Sequence, residues 1–189
     1  SPRLKALCGG EAMPPDLARA LLPRCAELWN MYGPTETTVW STVQRVTSPE
    51  GVPPIGKPIA NTQVYVLDTE NGLVPAGVVG ELYIGGDGLA RGYLNRPEPT
   101  AERFVPNPFV PGARLYRTGD LARWPPSGSL DLIGRADQQL KIRGHRIQLG
   151  AVESLLADHP SILQAAASVR QDAPGRRPLL AYLHDTDRP

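Results

Sequence analysis

Apolar residues fall in short runs punctuated by glycine and proline, and the runs change character along the chain. Leu4-Lys5-Ala6-Leu7-Cys8 stops at Gly9-Gly10, which predicts a buried strand and a tight turn. Residues 14–28 place Leu17, Ala20, Leu21 and Leu28 at near-helical spacing. Pro14 and Pro15 suit a first helical turn, and Pro23 ends the helix or starts a new turn. Glu27 to Tyr32 predicts a second short strand that closes at Gly33-Pro34. Strand, helix, strand is an α/β unit.

The texture changes near Pro53-Pro54. Alternating and aromatic residues predict strands at 62–68 and 80–85, with Asn71-Gly72 and Pro75-Ala76-Gly77 supplying turn chemistry. This stretch reads as β-rich, in the manner of a small barrel. Leu115-Tyr116-Arg117 leads into Thr118-Gly119-Asp120. Strands at 130–133 and 139–143 flank Gly134-Arg135-Ala136-Asp137. A helix over about 151–158 has Val152, Leu155 and Leu156 on one face and Pro160 as its stop. Strands at 162–169 and 178–183 follow, so the tail reads β-β-α-β-β.

Composition narrows the class. The chain has 189 residues, room for one ordinary domain or two small subdomains, and 41% hydrophobic residues support a packed core. A net charge of +1 shows no basic excess for nucleic acid. No apolar run approaches the ~20 residues a membrane span needs. Cys8 and Cys25 fit no zinc spacing and no disulfide framework, so two reduced thiols in a cytoplasmic protein are expected.

The segment from Asn30 to Thr38 is the richest in candidate chemistry. It offers an aromatic face, a tight turn, hydroxyls and one carboxylate at a strand end, where open α/β sheets bind ligands. A carboxylate beside hydroxyls suits a Mg²⁺–phosphate site. On residue types alone, a plain polar turn remains the simpler reading. Gly85-Gly86-Asp87-Gly88 follows a strand but opens no helix, so it reads as a barrel corner and not as a phosphate loop.

Four segments in order carry a resemblance. Tyr32-Gly33-Pro34-Thr35-Glu36 resembles the signature of the adenylate-forming (AMP-binding) superfamily, in the form found in nonribosomal peptide synthetase adenylation domains. Gly80-Glu81-Leu82-Tyr83-Ile84 through Gly92-Tyr93 is similar to that family's glycine-rich barrel segment. Tyr116-Arg117-Thr118-Gly119-Asp120-Leu121 is similar to its ribose motif, and Gly134 to Arg146 to its hinge motif. The resemblance covers essentially the whole chain.

The resemblance implies a fold, α/β plus β-barrel. Residues 1–51 would be the end of a core α/β subdomain, 52–136 a distorted barrel, and 137–189 a hinge with part of a small α+β C-terminal subdomain. It implies ATP or AMP, Mg²⁺ and a carrier-bound phosphopantetheine. Gly10, Glu11 and Ala12 would wall the adenine, Asn30 would read its edge, and Tyr32, followed by Gly33, would stack on it. Asp120 would accept both ribose hydroxyls and Arg135 would bind ribose or phosphate oxygen. Thr35 would touch the α-phosphate and Glu36 would hold the metal. Asp137 would be the hinge. Lys141 joins the catalytic set and, with Arg143, Gly144 and His145, would line the phosphopantetheine tunnel.

Leu7, Gly9, Met31, Val39 and Trp40 would line the side-chain pocket. Met31 and Trp40 fill volume there, which favours a small amino acid such as glycine, with threonine next.

Departures from the family pattern fall at Gln148 and Ala151, where glutamates are common, and at Leu132, where an aromatic is common. Glu153 is retained. The family's Ser/Thr/Gly-rich phosphate loop, its amine-gripping aspartate and its bridging lysine would lie outside residues 1–189, so the chain alone is expected not to turn over. Expected partners are the amino acid, a carrier protein domain and neighbouring synthetase domains. Pro111-Gly112-Ala113-Arg114 also resembles the docking surface for MbtH-like helper proteins. Two other readings stay open: an acyl- or aryl-CoA ligase of the same superfamily, and a degenerate docking module.

Overall fold

The computed structural model describes residues 3–137, 139–142, 145–170 and 178–185. The chain divides into two compact units, Ser1–Asp137 and Gln138–Pro189.

The first unit opens with the strand–helix–strand order read from the sequence. β1 (Lys5–Gly9) and β2 (Glu27–Tyr32) run parallel, with Gly9 opposite Met31. Between them lies α1 (Pro15–Leu21), which starts on Pro15, where a missing N–H has no cost. At Pro23 the helix tightens into a single 3-10 turn, Leu22–Arg24. The helix is thus shorter than the 14–28 pattern suggests, because Leu28 belongs to β2 and packs with Met13, Ala18 and Val46. Two strands of this first sheet escaped the sequence reading: β3 (Thr42–Val46), antiparallel to β2, and β4 (Lys57–Pro58), antiparallel to β3.

A second, five-stranded antiparallel sheet follows. β5 (Thr62–Leu67), β6 (Gly80–Gly86), β7 (Phe104–Pro106) and β8 (Arg114–Arg123) take the order β5-β6-β8-β7, and β9 (Asp131–Arg135) also pairs with β8. A short helix, α2 (Pro97–Arg103), precedes β7. Period-2 alternation sends Leu82 and Ile84 of β6 into one cluster and Tyr83 into another, with Leu67 and Leu115. A one-residue slip of β6 would reverse both faces, so the register is fixed by burial.

The first of these clusters positions the site. It combines Val66, Leu82, Ile84, Ala122 and Leu130 from the second sheet region with Tyr32 and Ile55 from the first. Burial of each large aliphatic side chain contributes about 1.5–3 kcal/mol, so this cluster binds the end of β2 firmly to β6, β8 and β9.

The second unit has the β-β-α-β-β order anticipated above. β10 (Gln139–Ile142) and β11 (His145–Gln148) form an antiparallel hairpin, α3 (Leu149–Ala157) follows, and β12 (Ile162–Val169) pairs antiparallel with β13 (Leu179–Asp185). Glu153 on α3 accepts the backbone N–H of Ala167 at 2.8 Å, which ties the helix to β12. Among the described residues no helix is long and apolar enough to cross a membrane.

Candidate functional site

Parallel pairing of β1 and β2 brings their carboxyl ends side by side, the position at which open α/β sheets bind ligands. Beyond β1 the exposed Gly10, Glu11 and Ala12 follow, Gly10 with φ +92°. Beyond β2 the chain folds back sharply at Gly33. A Cβ there would lie 2.6 Å from the Val39 carbonyl oxygen and 2.7 Å from the Ser41 nitrogen, so only glycine fits.

The loop after Gly33 is a 3-10 turn, Thr35–Thr37, braced by the Thr37 and Ser41 hydroxyls 2.6 Å apart. Thr35 is exposed, whereas Glu36 is buried. Thr38 and Val39 then take φ of 60° and 69°. Left-handed backbone at β-branched residues costs on the order of 1–3 kcal/mol each, and such strain concentrates at functional loops. Its consequence is the placement of Trp40, whose N–H returns to the Thr38 carbonyl at 2.8 Å. The Trp40 ring lies so close to Gly9 that a Cβ there would sit 2.3 Å from Cζ3, and 2.6 Å from the Met31 carbonyl oxygen. Leu7 and Val39 are exposed, and Met31 is buried at the end of β2.

Asp120 is presented by a bulge in β8. Glu81 and Tyr83 of β6 pair with Leu121 and Arg117, so one intervening residue on β6 faces three on β8: Thr118, Gly119 and Asp120. Bulges of this kind turn a side chain out of the ordinary alternation. Thr118 stabilises the bulge by donating its hydroxyl to the Leu82 carbonyl at 2.7 Å and accepting the Asp120 N–H at 2.9 Å. Gly119 has φ +75°, and a Cβ on it would lie 2.7 Å from both Arg135 Nη2 and Asp137 Oδ2.

The carboxylate so placed is buried and doubly held. The Tyr32 hydroxyl donates to Oδ2, and Arg135 Nη1 donates to Oδ1 at 2.8 Å. Arg135 reaches on to Asp137, with Nε to Oδ1 at 2.7 Å and Nη2 to Oδ2 at 2.6 Å, and Arg103 Nη2 stands 3.6 Å from the same Asp137 oxygen. Burial, and then the Asp120 charge, push the Tyr32 phenol well above its ordinary pKa, so it donates at every physiological pH. Burial opposes the charge on Arg135, but hydrogen bonding to Asp137 and the charge of Asp120 outweigh it and raise its pKa.

Glu36 is held from a different direction. The Tyr93 hydroxyl donates to its Oε1 at 2.6 Å. The 88–93 segment also fixes the surrounding backbone: Ala90 N–H donates to the Glu36 carbonyl at 2.9 Å, and Thr38 Oγ1 to the Gly88 carbonyl at 2.7 Å. One buried carboxylate beside an exposed threonine hydroxyl fits Mg²⁺, which takes one or two carboxylates and completes its shell with water and substrate phosphates. An all-protein metal cage of three or more His, Cys, Asp or Glu side chains is absent among the described residues.

The sequence-predicted residues therefore gather in part. Tyr32, Asp120, Arg135 and Asp137 form one connected cluster, and Gly10 to Ala12 and Gly33 to Glu36 share a sheet end. The Tyr32 ring joins the hydrophobic cluster, and its hydroxyl points to the polar cluster. Asn30 is buried, and its amide nitrogen donates to the carbonyls of Pro53 at 3.3 Å and Pro54 at 2.8 Å, which fixes the orientation of the side chain. Lys141 lies on β10, and His145 is exposed at the start of β11. Arg143 and Gly144 lie outside the described residues. Tyr93 and Arg103 went unassigned in the sequence. Their partners, Glu36 and Asp137, are distant in the chain, and no local pattern announces the contact.

Residues 1–94 match the family described as AMP-binding enzyme. A dimodular nonribosomal peptide synthase of Bacillus subtilis (strain 168) is 60% identical over 184 residues, which is 95% of this chain and 8% of that protein. Tyrocidine synthase 3 of Brevibacillus parabrevis is 51% identical over 93% of this chain and 3% of its own length. Among solved structures, a holo four-domain nonribosomal peptide synthetase bound to AMP and glycine is 48% identical, with a TM-score of 0.68 over 98% of this chain and 14% of its own. A holo nonribosomal peptide synthetase protein with adenylation and PCP domains, bound to a vinylsulfonamide inhibitor, aligns with a TM-score of 0.88 and 38% identity, over 97% of this chain and 33% of its own. The chain thus spans less than a tenth of the curated relatives just named.

Proposed function

The chain is a segment of the AMP-binding enzyme family, similar to nonribosomal peptide synthetases along nearly all its length, and from that premise we propose that it carries the nucleotide and metal side of an amino-acid adenylation site. The observation that supports this most strongly is the Tyr32–Asp120–Arg135–Asp137 cluster, which joins the end of β2 to the ribose-motif carboxylate. In this reading residues 1–51 end an α/β core, 52–136 form the barrel, and 137–189 begin a C-terminal subdomain.

In the reaction, an amino-acid carboxylate oxygen attacks the α-phosphorus of ATP and pyrophosphate leaves; a carrier-protein phosphopantetheine thiol then attacks the acyl carbon and AMP leaves. Mg²⁺ supplies neutralisation of phosphate charge when bound. The chain's own residues position and orient. Asp120 has about four lone-pair directions, of which Tyr32 and Arg135 take two, so the ribose hydroxyls can share the carboxylate. Asn30, with its nitrogen fixed by Pro53 and Pro54, would present Oδ1 to the adenine amino group. Thr35 would donate to the α-phosphate and Glu36 would hold the metal. Gly10 to Ala12 would close the adenine side. Asp137, the last residue of the first compact unit, would be the hinge, and Lys141 with the following residues would serve the thioester step.

The Trp40 ring over Gly9 leaves little volume beside the end of β1, which favours glycine or another small substrate. The similar synthetase bound to AMP and glycine points the same way. The test is pyrophosphate exchange by the full-length protein against a panel of amino acids. Exchange stimulated by glycine or a comparably small amino acid is expected, with the 189-residue chain alone inactive. Exchange stimulated only by aryl or fatty acids would establish the CoA-ligase alternative, and an aromatic preference would overturn the small-pocket reading.

A further inference from the structure

The Tyr93 side chain belongs to no nucleotide contact proposed above, yet it makes a direct hydrogen bond to the carboxylate on which metal binding depends. Its hydroxyl lies 2.6 Å from Glu36 Oε1 and 3.4 Å from the Tyr116 hydroxyl. The ring meets Phe104 edge-on at 5.5 Å, and Phe104 in turn lies 5.2 Å from Tyr116, which is fully buried. The backbone is equally constrained. Tyr93 N–H donates to Thr100 Oγ1 at 2.9 Å, that hydroxyl donates to the Arg96 carbonyl at 2.7 Å, and a Cβ on the preceding Gly92 would lie 2.4 Å from Thr100 Cγ2. Ring packing and α2 thus leave the phenol little freedom except to point at Glu36.

We propose that Tyr93 is the positioning residue for Glu36: its phenol locks the carboxylate orientation so that the side chain is set for a Mg²⁺–phosphate group before one arrives. This rests on the reading of Glu36 as a metal ligand. A buried carboxylate without a fixed donor would lose rotamer freedom on each binding event, whereas one already oriented loses less, which is the advantage of preorganisation. The donor also suits the task. A phenol stabilises the ionised carboxylate without adding a positive charge that would repel the cation, and each carboxylate oxygen keeps lone pairs beyond the one the phenol uses.

The experiment measures binding of α,β-methylene-ATP to the full-length protein by calorimetry with and without Mg²⁺, so the readout is the metal-dependent tightening and not turnover. Three variants are compared: Tyr93→Phe, which keeps the ring; Phe104→Leu, which loosens the ring packing but keeps the phenol; and Glu36→Gln. Tyr93→Phe is expected to bind the metal-free nucleotide as the wild type does and to lose about ten-fold or more of the Mg²⁺-dependent tightening, the size expected for one hydrogen bond to a charged group. Phe104→Leu is expected to retain most of the tightening, which a purely structural role for the aromatic cluster would not allow. Glu36→Gln is expected to abolish it. Loss in Glu36→Gln with full tightening in Tyr93→Phe would overturn the role of Tyr93 and leave the metal assignment standing. Tightening that survives Glu36→Gln would overturn both. Equal losses in Tyr93→Phe and Phe104→Leu would reduce Tyr93 to packing.

Discussion

Tyr32 donates its hydroxyl hydrogen to Asp120 across 88 positions of sequence, and both groups are buried. One ends β2 and the other sits on the bulge of β8, so this contact joins the two sheets at the place where the proposed nucleotide would sit. It also means that the Asp120 carboxylate is held by the protein's own donors. Ribose hydroxyls would have to share Asp120 with the phenol, not fill a void.

The phenol gives the contact a pH signature. Folding holds the Tyr32 pKa above its ordinary value, chiefly by burial, so above about pH 10 the unfolded chain loses this proton while the folded one keeps it. The folded state then binds more protons, and stability falls as pH rises past the unfolded value. Thermal midpoints between pH 8 and 11 should decline less steeply for Tyr32→Phe than for the wild type. Identical slopes would contradict the burial of this phenol.

Gly119 is required twice over, by its φ of +75° and by the ion cluster beside it. Gly77 has φ +83° but nothing within 4 Å of a Cβ. Gly77→Ala should therefore cost only the backbone term of about 1 kcal/mol. Gly119→Ala should cost more, roughly 2–4 kcal/mol once the displaced Arg135–Asp137 pair is added. Urea unfolding of the two variants checks the difference; equal costs would show that the cluster yields freely.

Asp137 is held by Arg135 and Arg103 at the end of the first unit. If it is a hinge, Asp137→Pro in the full-length protein should slow thioester formation more than adenylation. Arg103→Met should alter the ratio of the two half-reactions in the same assay by a smaller factor. Proportionate loss of both half-reactions in Asp137→Pro would remove the hinge.

Pocket volume is testable at Trp40. Replacing Trp40 with alanine uncovers Gly9 and should admit larger amino acids in pyrophosphate exchange, with a loss of about ten-fold or more in preference for the smallest. An unchanged substrate ranking would move the pocket elsewhere.

Much of this architecture is legible in the sequence. The strands at Glu27–Tyr32 and Ile162–Val169 fall where apolar runs predict them, because their signal is local. α2 has no local signal in the sequence, because Pro97 and Pro99 interrupt the helical pattern although both fall in the first turn, where a helix tolerates proline. β3 mixes Thr42, Gln44 and Arg45 with two valines, and its pairing with β2 decides its state. The motifs named Asp120, Arg135 and Asp137 one at a time. Their assembly into a cluster depends on a bulge and on pairing of Asp120 with Arg135, which are properties of the sheet and not of any one segment. Tyr32 illustrates the limit best: its motif names the residue, but the packing of its ring with Ile55, Leu82 and Leu130 is set by segments distant in the chain.

The central claim is that the loop after β2 and the Asp120 carboxylate serve one nucleotide. Calorimetric titration of the full-length protein and its Asp120→Asn variant with AMP and with 2′,3′-dideoxy-AMP forms a double-mutant cycle on the proposed contact. The account predicts that removing either the carboxylate charge or the diol weakens binding about ten-fold or more, and that removing both adds little further. Equal affinity of the wild type for the two nucleotides, or losses that simply multiply, would place the ribose away from Asp120 and contradict it.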